Sequence, residues 1–150
     1  MKVFKTIKGE TVDVIKHTME LLKEHPDMQI HMGTDSQNHK RKTTYVTVIA
    51  YRYGTRGVHY IYSKKKVPRI QDMWTRLWKE TEDTLEVAEW FTSKLSLKVE
   101  IDMDYNEDEY HKSNMLIAAA KGWATGLGYK VNCKPIGQVS TKAADYHCRS

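Results

Sequence analysis

Apolar positions along the chain follow two rhythms. Val12, Ile15, Met19 and Leu22 recur at helical spacing, with Thr11 as a candidate cap and Pro26 as a stop, so they predict an N-terminal helix. Met28, Ile30 and Met32 alternate with polar residues and predict a strand, which runs out in Gly33-Thr34-Asp35-Ser36-Gln37. The polar stretch SQNHKRKT then reads as a loop. YVTVIAYRY and VHYIYSK, rich in β-branched and aromatic residues and separated by GTRG, predict a hairpin. The first eight residues read as a short edge strand or a loose arm.

After the hairpin the rhythm returns to helical. Pro68 suits a first helical turn, and Ile70, Met73, Trp74, Leu77, Trp78, Leu85, Ala88, Phe91 and Leu95 form one long stripe. LKVEIDMD alternates again, with Leu97, Val99, Ile101 and Met103 on one face and Lys98, Glu100, Asp102 and Asp104 on the other. A helix beginning between Asn106 and Ser113 should end at GLG. YKVNCK is a short strand stopped by Pro135, and STKAADYHCR suits a short last helix. Hairpin strands followed by alternating helices and strands predict an α/β mixed sheet covered by helices, in a single domain over residues 1–150.

Composition narrows the class. The chain is 40% apolar and 29% charged, and no apolar run approaches the ~20 residues of a membrane span. The start MKVFKTIKGETVD lacks a secretory apolar stretch. Cys133 and Cys148 have neither metal-binding nor redox spacing, so a cytoplasmic protein with reduced thiols is expected. Charge is segregated. Residues 36–71 hold nine Lys or Arg and no acid, residues 72–110 hold twelve acids and four bases, and residues 111–150 hold six bases and one acid. A basic block suits a polyanion; an acidic cluster suits metal ions or a solvated helix face.

Asp35 closes the first core strand and Asp102 lies near the end of the fourth, each out of phase with its strand's apolar set. For a lone strand-end aspartate the ordinary role is a turn or cap. If the two strands are parallel neighbours, however, both carboxylates reach one end and one face, where they repel unless a cation lies between them. A hard divalent ion with oxygen ligands resolves that conflict. Asp145, in KAADYH, is a third acid in the series. Asp102-Met103-Asp104 also resembles a phosphatase pair, but Asn106 stands where those enzymes need a small β-branched or hydroxyl residue, and the element order is wrong. No HExxH, zinc-finger spacing, nucleophile elbow or phosphate-cradling glycine loop is present.

The segments HMGTDSQ, YVTVIAYR, RLWKETEDTLEVA, VEIDMD, GLGYKV, KP and KAADYH, from about Gln29 to His147, resemble the uncharacterised bacterial YkuK-type family of ribonuclease H-like proteins. The resemblance implies an α/β ribonuclease H-like fold. Its five-stranded sheet has the order 3-2-1-4-5, flanked by helices, with the N-terminal helix as an addition. It also implies that Asp35, Asp102 and Asp145 match carboxylates that bind one or two Mg²⁺ or Mn²⁺ in this superfamily, with a fourth acid from the long helix. Glu80, Glu82, Asp83 and Glu86 are the candidates for that place. Glu80 lies at the edge of the apolar stripe and is chosen, although active nucleases of this fold place the acid nearer the helix start and Glu80 has Arg76 at i−4. Two such ions, about 3.5–4 Å apart, would activate a water and stabilise the leaving oxygen of a phosphodiester. His147 is read either as a proton shuttle or as a solvated histidine near a terminus. His31, on Asp35's face, is read as a buried, hydrogen-bonded histidine. Ser36 and Gln37 contact phosphate or shape the turn, and Asp104 is an outer acid.

Lys40, Arg41, Lys42, Lys64, Lys65, Lys66 and Arg69 are the candidate nucleic-acid contacts, with Tyr45, Tyr51, Tyr53, Tyr60 and Tyr62 as stacking surfaces; the bland alternative is a soluble hairpin edge. Trp74, Trp78, Trp90 and Trp123 are expected in the core or at contacts between copies. The expected partner is RNA, DNA or a hybrid, with no membrane and room for a homo-oligomer. The expected function is a metal-dependent nuclease. The rival is a non-catalytic nucleic-acid-binding module, and a third reading makes the acids mere caps.

Overall fold

The computed structural model describes residues 2–55, 57–103, 114–133, 143, 147 and 148. Its elements in chain order are β1 (Phe4–Lys5), β2 (Thr11–Val12), α1 (Val14–Glu24), β3 (Gln29–His39), β4 (Lys42–Tyr53), β5 (Gly57–Pro68), α2 (Met73–Lys94), β6 (Val99–Asp102), α3 (Asn114–Gly126) and β7 (Lys130–Asn132). Ala143, His147 and Cys148 also have helical backbone. The Asp104, Asn106–Ser113, Pro135 and Asp145 expectations fall outside the described residues. Among those described, no helix is long and apolar enough to cross a membrane.

Among the described residues the sheet has seven strands, not five, in the order β2-β1-β5-β4-β3-β6-β7. The five long-range strands keep the expected sequence. The additional two, β1 and β2, are two-residue strands, too short for any periodicity, and Lys5 of β1 pairs with Tyr62 of β5. β3, β4 and β5 are antiparallel neighbours, whereas β3–β6 and β6–β7 are parallel, so the sheet is mixed.

Four boundaries differ from the pattern reading. β3 does not stop at Asp35. Its ladder with β4 continues through Asp35↔Val46 to His39↔Lys42, so SQNHKRKT is mostly strand, and the turn is carried by Lys40 at φ 54°. Pro68 closes β5 rather than opening α2. Asp72 caps α2 by accepting from the Thr75 amide at 2.9 Å, a bond Pro68 is too far upstream to replace. Thr11 lies in β2, and Asp13 caps α1 by accepting from the Lys16 amide at 3.2 Å. β6 starts at Val99, after Leu97 and Lys98. A turn begins at Gly54 as expected, at φ 62°, a conformation that favours glycine.

Both faces of the sheet are covered. On the α2 face, Ile30, Met32, Ile49, Tyr51, Ile61 and Ile101 pack with Leu77, Leu85, Ala88 and Phe91. On the other face, Val46, Val48 and Ala50 pack with Ala143, joined by Tyr60, Tyr62 and Cys148. Because strand side chains alternate, β3 sends Thr34 and Ser36 to the α2 face and Asp35 and Gln37 to the second face. That alternation positions everything below.

Candidate active site and basic groove

The parallel β3–β6 pair joins Ile30 to Val99, His31 to Glu100 and Met32 to Ile101. Paired residues share a face, so Asp35 of β3 and Glu100 and Asp102 of β6 all belong to the second face. Asp102 is buried. Its Oδ1 lies 3.1 Å from His31 Nδ1 and accepts from Asn132 Nδ2 at 2.9 Å, and the same Asn132 amide donates to Glu100 Oε1 at 3.1 Å. His31 is the buried, hydrogen-bonded histidine expected of it. Burial opposes its protonation, but the bond to Asp102 and the charges of Asp102 and Glu100 outweigh burial and raise its pKa. Its Nε2 has no hydrogen-bond partner among the described residues and lies 3.8 Å from Glu100 Oε2.

Asp35 is half-buried, and its carbonyl oxygen accepts from Cys148 Sγ at 3.4 Å. Asp145 lies outside the described residues. Among those described, no three His, Cys, Asp or Glu side chains are close enough to share a metal ion. The donors nonetheless suit Mg²⁺ or Mn²⁺ in kind. Asp35, Glu100 and Asp102 offer only oxygens, and Asp102 is oriented by two N–H donors, as ligating carboxylates usually are.

Glu80 comes from α2 on the opposite side. Its carboxylate accepts from the Ser36 hydroxyl, and Arg76 donates to Ser36 Oγ at 2.9 Å and to the Ser36 carbonyl at 3.2 Å. Thr34 and Thr84 extend this buried polar layer through a 2.7 Å bond between their hydroxyls. A cavity of about 10 Å³ is lined by both Glu80 and Asp102, so the two meet only across a space the size of one water. Asp83, also buried, is ringed by Lys79, Lys65 and Lys2, at 3.4, 3.5 and 3.8 Å.

His147 is buried, which removes the solvated reading. Its ring stacks on Tyr62 with centroids 3.9 Å apart, and Nε2 lies 2.9 Å from the Tyr60 hydroxyl. Burial, and then the charge of Lys64, lower its pKa.

The basic residues converge because β4 folds back on both of its neighbours. Lys66 pairs with Thr44, Lys64 with Val46 and Lys42 with Pro68, while Arg69 donates to the Lys40 carbonyl at 2.8 Å and its amide to the Arg41 carbonyl at 2.9 Å. Lys40, Lys42, Lys64 and Lys66 line a groove of about 490 Å³ together with Gln37 and Cys148, and no acid lines it among the described residues. Gln37, two residues from Asp35 on the same face, and Cys148, whose thiol donates to the Asp35 carbonyl, bring this groove next to Asp35. Lys65 points to the α2 face and pairs with Asp83, so the structure separates it from Lys64 and Lys66.

The tyrosines do not form an open stacking surface. Tyr45 and Tyr51 are core residues, Tyr53 stacks on His25 at 3.8 Å, and Tyr60 and Tyr62 are packed on His147. Alternation along β4 and β5 turns Tyr45 and Tyr51 inward against the helices. Trp78 stacks on Trp123 at 5.1 Å, Trp74 is exposed, and Cys133 and Cys148 are not joined in a disulfide.

Pattern reading missed Asn132, which holds both β6 acids. Its one signal was a polar residue between the half-buried Val131 and Cys133. It also missed His39 and Cys148 as groove residues. Residues 10–149 match the family model described as Ribonuclease H-like. No curated protein matches the chain.

Proposed function

The chain belongs to the ribonuclease H-like family, of the YkuK type, and from that premise we propose that it is a divalent-metal-dependent nuclease acting on nucleic-acid phosphodiesters. The observation that carries this reading is the sharing of one sheet face by Asp35 and Asp102, on adjacent parallel strands, with a basic groove beside Asp35 that no acid lines among the described residues. Asp35, Asp102 and Asp145 would hold Mg²⁺ or Mn²⁺. When bound, such an ion supplies charge neutralisation at the phosphate and lowers the pKa of a water.

The chain's own residues have separate tasks in this reading. His31 and Asn132 keep the Asp102 carboxylate in one orientation. Lys42, Lys64 and Lys66 neutralise phosphates on the strand that enters the groove and fix its register without reading sequence. His147, its pKa lowered by burial and by Lys64, serves as the proton shuttle of this reading, with Nε2 hydrogen-bonded to the Tyr60 hydroxyl.

One observation favours a second reading, a non-catalytic nucleic-acid-binding module. Glu80 is engaged with Ser36 on the face opposite Asp35, so the fourth acid is not directed at the Asp35–Asp102 face. Labelled RNA, DNA and hybrid substrates incubated with Mg²⁺ or Mn²⁺ separate the two. Under the nuclease reading the wild type cleaves at least one substrate, and Asp35→Asn abolishes cleavage while retaining binding. Binding by the wild type without cleavage in either metal establishes the module.

A further inference from the structure

We propose that a second groove, at the edge where β1 meets β5 and α2, binds phosphates of the same nucleic-acid strand, so that the strand runs from the groove beside Asp35 across Lys64 to the N-terminal strands. This extends the nucleic-acid reading above and rests on it. The groove measures about 650 Å³ and is lined by Lys2, Lys5, Lys64, Lys65 and Glu86, with Tyr62 in its wall. Lys64 lines both grooves.

The charge arrangement calls for an anion. Asp83 is one carboxylate with three ammonium groups within 4 Å, from Lys2, Lys65 and Lys79. Around the sheet edge Lys5 and Lys64 join Lys2 and Lys65 in the groove lining, where Glu86 is the one acid among the described residues. Asp83 is almost fully buried and cannot neutralise them all. The crowding is felt at Lys65, where burial first, and then the charges of Lys2 and Lys79, lower the pKa despite Asp83. Like charges held this close repel, and a ligand bearing several negative charges relieves the repulsion.

The geometry suits an extended chain rather than a compact anion. Along β5, Lys42 sits opposite Pro68 and Lys5 opposite Tyr62, with Lys66 and Lys64 between them. Six residues of strand span about 20 Å, which gives a row of cations instead of a single cradle. The row also gives the two short strands β1 and β2 a use beyond capping the sheet edge: they carry Lys5 and support Lys2.

The test compares wild type with Lys2→Gln/Lys5→Gln for binding of short and long single-stranded oligonucleotides (oligothymidylate and oligouridylate) across a salt series. For the long oligomers, loss of two phosphate contacts should lower the slope of log affinity against log salt by about 1.4, while short oligomers, held in the first groove, bind unchanged. Lys5→Gln alone is the variant that spares Asp83. Lys5 is exposed and pairs with Tyr62 only through main chain, so this change should leave the melt intact and lower the slope by about 0.7. An unchanged slope with normal binding overturns the second groove and leaves the first standing. Failure of the wild type to bind either length overturns both. Inorganic tripolyphosphate is the control. If it raises the melting temperature through Lys5 while the long strand does not engage Lys5, the groove takes a free polyphosphate and the proposal fails.

Discussion

His31 Nδ1 lies 3.1 Å from Asp102 Oδ1, across the parallel pair of β3 and β6, and both residues are buried. The bond couples the candidate site to the fold. Asp102 accepts from Asn132 through the same oxygen, so one carboxylate ties β3, β6 and β7 together.

Asp102→Asn is therefore expected to destabilise the metal-free protein by about 1–3 kcal/mol, because one buried donor, on His31, and one half-buried donor, on Asn132, face a side chain that has lost its charge and half its acceptor capacity. Asp35→Asn, on a half-buried residue, should cost less or relieve repulsion. The sequence alone groups these aspartates and expects them to respond alike. Urea unfolding without metal measures the difference, and equal stability of the two variants would remove the structural role assigned to Asp102.

That contrast shows where reading the pattern reached and where it stopped. The adjacency of the Asp35 and Asp102 strands was legible once the segments from HMGTDSQ to KAADYH suggested a strand order, and the parallel register bears it out. The length of β3 was not. From Ser36 to Thr43 the strand carries hydroxyls bound for the α2 layer and polar groups bound for the basic groove, so no apolar alternation marks it. Pro68 fits a strand end or a helix start equally well, and only the Asp72 cap decides. Glu80 was chosen on a helical wheel, which gives its face on α2 but not that Ser36 would take its carboxylate. β1 and β2 hold two residues each, below any period.

The first groove predicts a position-dependent loss of binding. Lys42→Gln/Lys66→Gln should weaken nucleic-acid binding and lower the salt slope by about 1.4 for a single strand, since two phosphate partners are removed. Lys16→Gln/Lys23→Gln on α1 changes net charge equally at exposed positions and should leave the slope unchanged. Fluorescence anisotropy across a salt series reads both variants. Equal effects would mean that net charge, not the groove, drives binding.

His17 and His59 predict an acid-side loss of stability. Their Nε2 atoms lie 2.7 Å apart, so one must donate and the other accept. Burial lowers both pKa values below 6.5; in His59 the charge of His17 adds to the effect, and in His17 Glu20 partly opposes it. The unfolded chain thus binds more protons than the folded one as pH falls below 6.5, and the contribution, complete above that value, is lost as pH passes through the folded pKa values. The raised pKa of His31 acts in the opposite sense, so the informative quantity is a difference. His17→Gln/His59→Gln should lose less stability than wild type between neutral pH and the acid side of that window, measured by urea midpoints at matched ionic strength. Parallel curves would refute the pair's role.

The last prediction concerns Glu80, for which a catalytic and a structural role make opposite demands. Its carboxylate accepts from Ser36, and Arg76 donates to the same hydroxyl, within a layer that is almost fully buried. A buried hydrogen bond to a charged group contributes about 1.5–3 kcal/mol, so Glu80→Gln and Ser36→Ala should each destabilise measurably. Because one weakens and the other removes the same bond, their effects should not add, and a double-mutant cycle should give a coupling of about 0.5–3 kcal/mol. Nucleic-acid binding in the basic groove, on the opposite face, should be unchanged in all three variants. If Glu80→Gln instead leaves the urea midpoint untouched and abolishes Mn²⁺-dependent cleavage, the carboxylate serves the Asp35–Asp102 face, and its bond to Ser36 is a resting contact that substrate displaces.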